Sequence, residues 1–135
     1  EDQVLRKPGR LTEEEMEQMK AHPKMGSDIM EHIRQLHAVL PGMRHHHERY
    51  DGKGYPDGLK GEENPLQAMI ISVADTLDAM TSDRPYRKAL SFETAYEEIC
   101  RNAGTQLSER VVEAFKEAFR KGKIVPLQKV LSTAC

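Results

Sequence analysis

The fold class turns on the stretch Pro65–Ser82, PLQAMIISVADTLDAMTS. Proline is preorganised for the start of a helix, and Ile70, Val73, Leu77 and Met80 then recur three or four residues apart. That spacing predicts one amphipathic α-helix with an apolar seam. Its only charged residues are Asp75 and Asp78. The face opposite the seam holds Ala68, Ser72, Asp75, Ala79 and Ser82, where a solvated helix would usually carry Lys and Glu. Small residues there predict close packing all round. A carboxylate in such surroundings must be paired, protonated or bound to a metal, because isolated burial of a charge is expensive. Pairing with Arg84 or Arg87, or plain surface exposure, stands level with metal binding from this helix alone.

Upstream, Thr12-Glu13-Glu14-Glu15 is a capping box that predicts a helix to about His22. Pro23 is expected to interrupt it and open a second helix to about Leu36, with Met25, Ile29, Met30 and Ile33 at helical spacing. A short helix over Ala38–Arg44 follows, weakened by Pro41-Gly42. Arg49–Asn64 holds four of the chain's glycines and reads as an ordered loop. Downstream, Ser91–Asn102 and Ser108–Lys121 are two further helices, each opening on a serine suited to capping. No stretch alternates with a period of two, so the domain is expected to be all-α.

At 135 residues the chain is one domain's worth. Its composition, 38% hydrophobic and 31% charged, has no apolar run near the ~20 residues of a spanning helix. No secretory leader is visible, which predicts a cytoplasmic protein without a membrane segment. The net charge of -2 argues against a DNA or RNA partner. Cys100 and Cys135 are too few for a disulfide framework or zinc knuckle and read as reduced thiols. The opening Glu1-Asp2, without an initiator Met, is expected of a piece of something longer.

His45-His46-His47, followed by Glu48 and Asp51, is the densest run of potential ligands. Neighbouring residues at a helix end point about 100° apart, so two adjacent imidazoles suit two metals in one cluster better than one side of a single metal. Histidine with carboxylate and no thiolate selects Mn, Fe or Zn over Ca or Mg. A solvated helix end is the plainer alternative. In Asp51–Gly58 the glycines sit at positions suited to positive φ, and such turns can aim N–H groups at an anion, although a mere tight turn is the simpler reading. Arg84, Arg87 and Lys88 place three cations just past the helix carrying Asp75, where arginine forks suit phosphate oxygens.

Together, HHERYDGKGYPDG from His46, ISVADTLDAMTSDRPYRKAL from Ile71 and GTQLSERVVEAF from Gly104 resemble the HD-GYP family of metal-dependent phosphohydrolases. VLRKPGRLTEEEMEQMKAHPKMGSDIM resembles the segment preceding them in that family, so the likeness runs essentially along the whole chain. The resemblance implies an HD-type helical bundle with two or three transition metals, commonly iron or manganese. It implies hydrolysis of cyclic di-GMP to the linear dinucleotide and sometimes to GMP. Residue by residue, His22 of Lys20-Ala21-His22 matches a metal ligand, as do His46, His47 and Asp75. Arg84 and Arg87 match positions that contact substrate phosphate. Tyr55 sits in the signature loop, beside the substrate groove and linked to partner binding. His45 lies outside the motif.

In the family the His-Asp pair that gives it its name, and a Gly-Lys after it, precede the segment matching Asp2–Thr12. The resemblance therefore makes residues 1–135 the carboxy-terminal portion of one HD-GYP domain, truncated at its amino-terminal side, with only part of the site and with apolar surface left uncovered. Two functional expectations follow. One is a cyclic di-GMP phosphodiesterase portion; the other is a catalytically incomplete module whose Asp51–Gly58 loop docks a diguanylate cyclase (GGDEF-type) or other signalling partner.

Overall fold

The computed structural model describes Gly9, residues 12–83 and residues 87–125. The described residues form five α-helices and no strand: α1 (Glu13–Met30), α2 (Leu40–His45), α3 (Leu66–Thr81), α4 (Phe92–Arg101) and α5 (Glu109–Arg120). Single 3-10 turns stand at Arg34–Leu36 and Gly61–Glu63. The all-α expectation holds. Among the described residues no helix is long and apolar enough to cross a membrane.

Helix α1 begins at the predicted box: Glu15 N–H donates to Thr12 Oγ1 at 3.2 Å, and Thr12 N–H donates to Glu15 Oε2 at 2.7 Å. It does not stop at His22. One helix runs through Pro23 to Met30, and the second helix expected to Leu36 is reduced to the short turn at Arg34–Leu36. Pro23 removes one N–H, but the carbonyl it leaves free is taken by a side chain, so the helix need not end there. Of the apolar positions on this segment, Met25, Ile29 and Ile33 are exposed.

Helix α3 starts one residue after Pro65 and ends at Thr81, with Ser82 as its C-cap, close to expectation. Its seam holds at Val73, Leu77 and Met80 but begins at Met69 in place of Ile70. Met69 and Val73 are buried and Leu77 and Met80 pack against them, while Ile70 is exposed. Either choice satisfies helical spacing; which side faces inward is set by Ile99 of α4, Leu107 of the α4–α5 connection, and Val111, Val112 and Phe115 of α5 in the same core. The expectation of packing all round α3 is corrected as well. Ala68 is buried, but Ala74 and Asp75 are exposed. Leu66, Ile70 and Ile71 add to an exposed apolar surface.

At the two later helices the caps differ. Ser91 Oγ accepts from Thr94 N–H at 3.1 Å. Ser108 occupies the corresponding position on α5 but its buried hydroxyl makes no cap bond. Helix α2 packs against both α1 and α3 and joins the histidine-bearing side to the core. Its Gly42 lies where a Cβ would come 3.0 Å from Ile71 Cδ1, so α2 and α3 approach closely at that point.

Candidate metal centre

His22 lies in the middle of α1, while His46 and His47 follow the end of α2. One ring nitrogen from each of the three falls within 4.8 Å of the others. The His46 and His47 rings are 4.1 Å apart by centroid, and His22 lies 5.0 Å from His47 and 5.8 Å from His46. His46 is the C-cap of α2, in right-handed helical conformation, and His47 lies in the turn beyond it; their two rings stand with planes 41° apart.

Two of these rings are oriented by the backbone. His22 Nδ1 lies 2.6 Å from the Met19 carbonyl, and His46 Nδ1 lies 2.7 Å from the Met43 carbonyl. A carbonyl can only accept, so both Nδ1 atoms carry the hydrogen, and the neutral rings keep an unprotonated Nε2. Such outward bonds are what ligating histidines ordinarily make. His47 is held neutral by its surroundings. Burial, then the neighbouring His46 and His22, lower its pKa from 6.5 to about 4, with Asp75 opposing. Three converging imidazoles, two of them keyed through Nδ1, fit a transition-metal ion by donor chemistry.

Asp75 stands outside this group of three, yet its charge acts on both His47 and Tyr55. The Tyr55 ring stacks on His47 with centroids 5.1 Å apart and planes 29° apart. Burial, then Asp75, raise the Tyr55 pKa, so its hydroxyl keeps its proton at neutral pH. Arg87 donates through Nη2 to the Ala79 carbonyl at 2.6 Å, near the end of α3. Arg84 lies outside the described residues.

The loop after the histidines is clamped from both sides. Glu48 is 5% exposed, and its carboxylate accepts from three successive N–H groups: Asp57 at 2.6 Å, Gly58 at 3.0 Å and Leu59 at 3.1 Å. In return, Arg44 of α2 makes a two-pronged bond to Asp57 at 2.8 and 2.9 Å, which raises the arginine pKa and lowers that of the aspartate. The start of the loop is tied to the α4–α5 connection, with Tyr50 N–H donating to Gln106 O and Asp51 N–H to Thr105 O. Arg49 forks onto Asp51 and holds its pKa down to about 2. Gly52 and Gly58 have φ of 80° and 70°, as the turn chemistry predicts. Gly54 is a glycine for another reason, since a Cβ there would sit 2.5 Å from Glu48 Cα.

His45, Glu48 and Asp57 form a second group of potential ligands. Their oxygens already receive the loop N–H groups and the Arg44 fork, so this group is an internal clamp. The sequence puts Glu48 among the potential ligands beside the histidines, whereas its carboxylate is taken up by the loop N–H groups. Its partners lie nine to eleven residues away, and no local pattern announces them.

The HD domain family matches residues 2–111 of the chain. A cyclic di-GMP phosphodiesterase response regulator, RpfG, of Xanthomonas campestris is 45% identical over 117 residues, covering 84% of this chain and 30% of the relative. A cyclic di-GMP phosphodiesterase of Thermotoga maritima is 47% identical over 118 residues, covering 84% and 32%. A 3'3'-cGAMP-specific phosphodiesterase 3 of Vibrio cholerae is 34% identical over 115 residues, covering 85% and 25%. The chain thus spans a third or less of the length of these relatives. In fold it is similar to the crystal structure of a cyclic GMP-AMP specific phosphodiesterase of V. cholerae, with a TM-score of 0.65, 21% identity, and coverage of 88% of this chain and 31% of that one.

Proposed function

The chain belongs to the HD domain family, in its HD-GYP group, and from that premise we propose that it forms the carboxy-terminal portion of a metal-dependent phosphodiesterase acting on cyclic di-GMP or a related cyclic dinucleotide. The observation that carries the reading is the convergence of His22, His46 and His47, with ring nitrogens within 4.8 Å and two rings keyed by carbonyls. These three, with Asp75 offering a carboxylate beside His47, would hold a di- or trinuclear cluster of iron or manganese. Bound metal supplies Lewis-acid charge and lowers the pKa of water toward neutrality.

The protein's own groups define the rest. His47 stays neutral through the physiological range and so can donate a lone pair without first losing a proton. Tyr55 covers one face of His47 and limits access of bulk water from that side. Arg87 spends Nη2 on the Ala79 carbonyl, which steadies the guanidinium; its remaining donors are available to a phosphate oxygen. Arg84 is assigned to phosphate on its matching position alone.

A direct test is metal uptake by the purified chain, followed by incubation of the loaded protein with cyclic di-GMP and with 3'3'-cGAMP. Uptake of iron or manganese, lost in His46→Ala, is the result expected of this chain, and release of a linear dinucleotide is the result expected of the intact domain. In an intact domain, His46→Ala or Asp75→Ala should lower turnover by orders of magnitude. A chain that takes up no transition metal would sink the reading. The alternative, a docking role for the loop, draws on exposed Lys53, Asp57 and Gly58. It predicts diguanylate cyclase-type partner binding that survives His46→Ala and is lost when Lys53 is replaced by Glu.

A further inference from the structure

We propose that Pro23 is a positioning residue for the metal centre: it withholds a backbone N–H from the Met19 carbonyl and so leaves that oxygen to orient His22. The inference rests on the metal-site reading above. In an α-helix the carbonyl of Met19 would accept from the N–H four residues on. That residue is Pro23, which has none. The helix nevertheless runs unbroken from Glu13 to Met30. The oxygen released by the proline lies 2.6 Å from Nδ1 of the adjacent His22.

The same key turns the second ring. His46 Nδ1 takes the Met43 carbonyl at 2.7 Å, again three residues back. Met43 stands in the last turn of α2, where carbonyls lack helical N–H partners in any case. His22 has no such helix end nearby, since it lies within an 18-residue helix. Ser27 in the same helix and Thr76 in α3 bond carbonyls that also face a ladder N–H, whereas the missing N–H at Pro23 leaves the Met19 oxygen undivided for the imidazole. Proline is the residue least suited to a helix interior, and at position 23 it is buried in one. The orphaned acceptor beside a ligand histidine gives that placement a purpose. With an N–H restored, the carbonyl would be shared between backbone and imidazole, and the ring would lose its fixed tautomer and angle.

The test is Pro23→Ala in the full chain, with Pro23→Val as a second variant that restores the N–H while keeping most of the buried volume. Thermal unfolding, Mn²⁺ titration and imidazole ¹⁵N spectra of the metal-free protein at mildly alkaline pH are compared with the parent. Pro23→Ala is expected to melt at the same temperature or higher, yet to bind Mn²⁺ about tenfold more weakly, as when a ligand histidine loses its outer partner. The metal-free spectra should move His22 from a pure Nδ1–H form to a mixture with Nε2–H. Unchanged Mn²⁺ affinity with His22 still wholly Nδ1–H, in whichever variant folds, overturns the proposal. If the parent binds no metal, the metal-site reading fails separately, and the tautomer comparison still decides whether Pro23 orients the ring.

Discussion

Replacing Gly54 by alanine probes the contact on which the loop depends. Gly54 has no positive φ, so backbone strain is not at issue. An added Cβ would stand 2.3 Å from Arg49 N, 2.5 Å from Glu48 Cα and 2.6 Å from Glu48 C, whereas ordinary contact begins at 3.4 Å. All three are backbone atoms of the two residues after His47, and none can rotate away. The loop must therefore retreat by about 1 Å, the difference between ordinary contact and the closest approach. The Tyr55 N–H to His47 O bond is already 3.3 Å long, so that retreat breaks it and lifts Tyr55 from the His47 ring. Overpacking of this kind costs roughly 1–3 kcal/mol. Urea unfolding with a parallel Mn²⁺ titration measures both consequences, a lower midpoint and weaker uptake. A Gly54→Ala protein with the parent's midpoint and the parent's Mn²⁺ affinity would refute the argument that the loop is seated on this backbone contact.

Gly26 provides the opposite case: a Cβ there meets only Met43 Cε at 3.9 Å inside α1, so Gly26→Ala should raise stability by about 0.5–1 kcal/mol in the same assay. Ile99 is fully buried where α3, α4 and α5 meet, and Ile99→Ala should cost about 2–5 kcal/mol in chemical unfolding while the folded fraction keeps its metal affinity. The pH dependence of the metal-free chain follows from His47, whose pKa is lowered from 6.5 to about 4. As pH falls through 6.5 the unfolded chain takes up a proton that the folded chain refuses, so stability is full above 6.5, falls toward pH 4 and then levels. His47→Gln should flatten that segment of a melting-temperature profile, whereas the contribution of Asp51, depressed from 3.8 to about 2, is lost only as pH drops from 3.8 toward 2 and should persist in the variant.

The sequence was legible where a local pattern has a single geometric meaning. The Thr12–Glu15 box, the Pro65 start and the glycines of positive φ at 52 and 58 each needed only their neighbours, and each is found as expected. The seam on α3 was legible at Val73, Leu77 and Met80 but not at its first member, because Met69 and Ile70 both satisfy helical spacing and only the packing of α4 and α5 decides between them. The closeness of His22 to His46 and His47 was carried by the family resemblance, since twenty-four residues and two helices separate them and no spacing rule brings them together. Once the rings meet, local chemistry resumes control. The bond that fixes His22 was within reach of the sequence, because the residue four after Met19 is a proline and the residue before that proline is the histidine. Pro23 looked like a helix boundary because proline is usually read by what it breaks. Here the helix continues, and the missing N–H is better understood as an acceptor made available to the side chain beside it. A ligand set in mid-helix gains an undivided acceptor from such a vacancy in the backbone ladder, while one at a helix end, like His46, finds it already present.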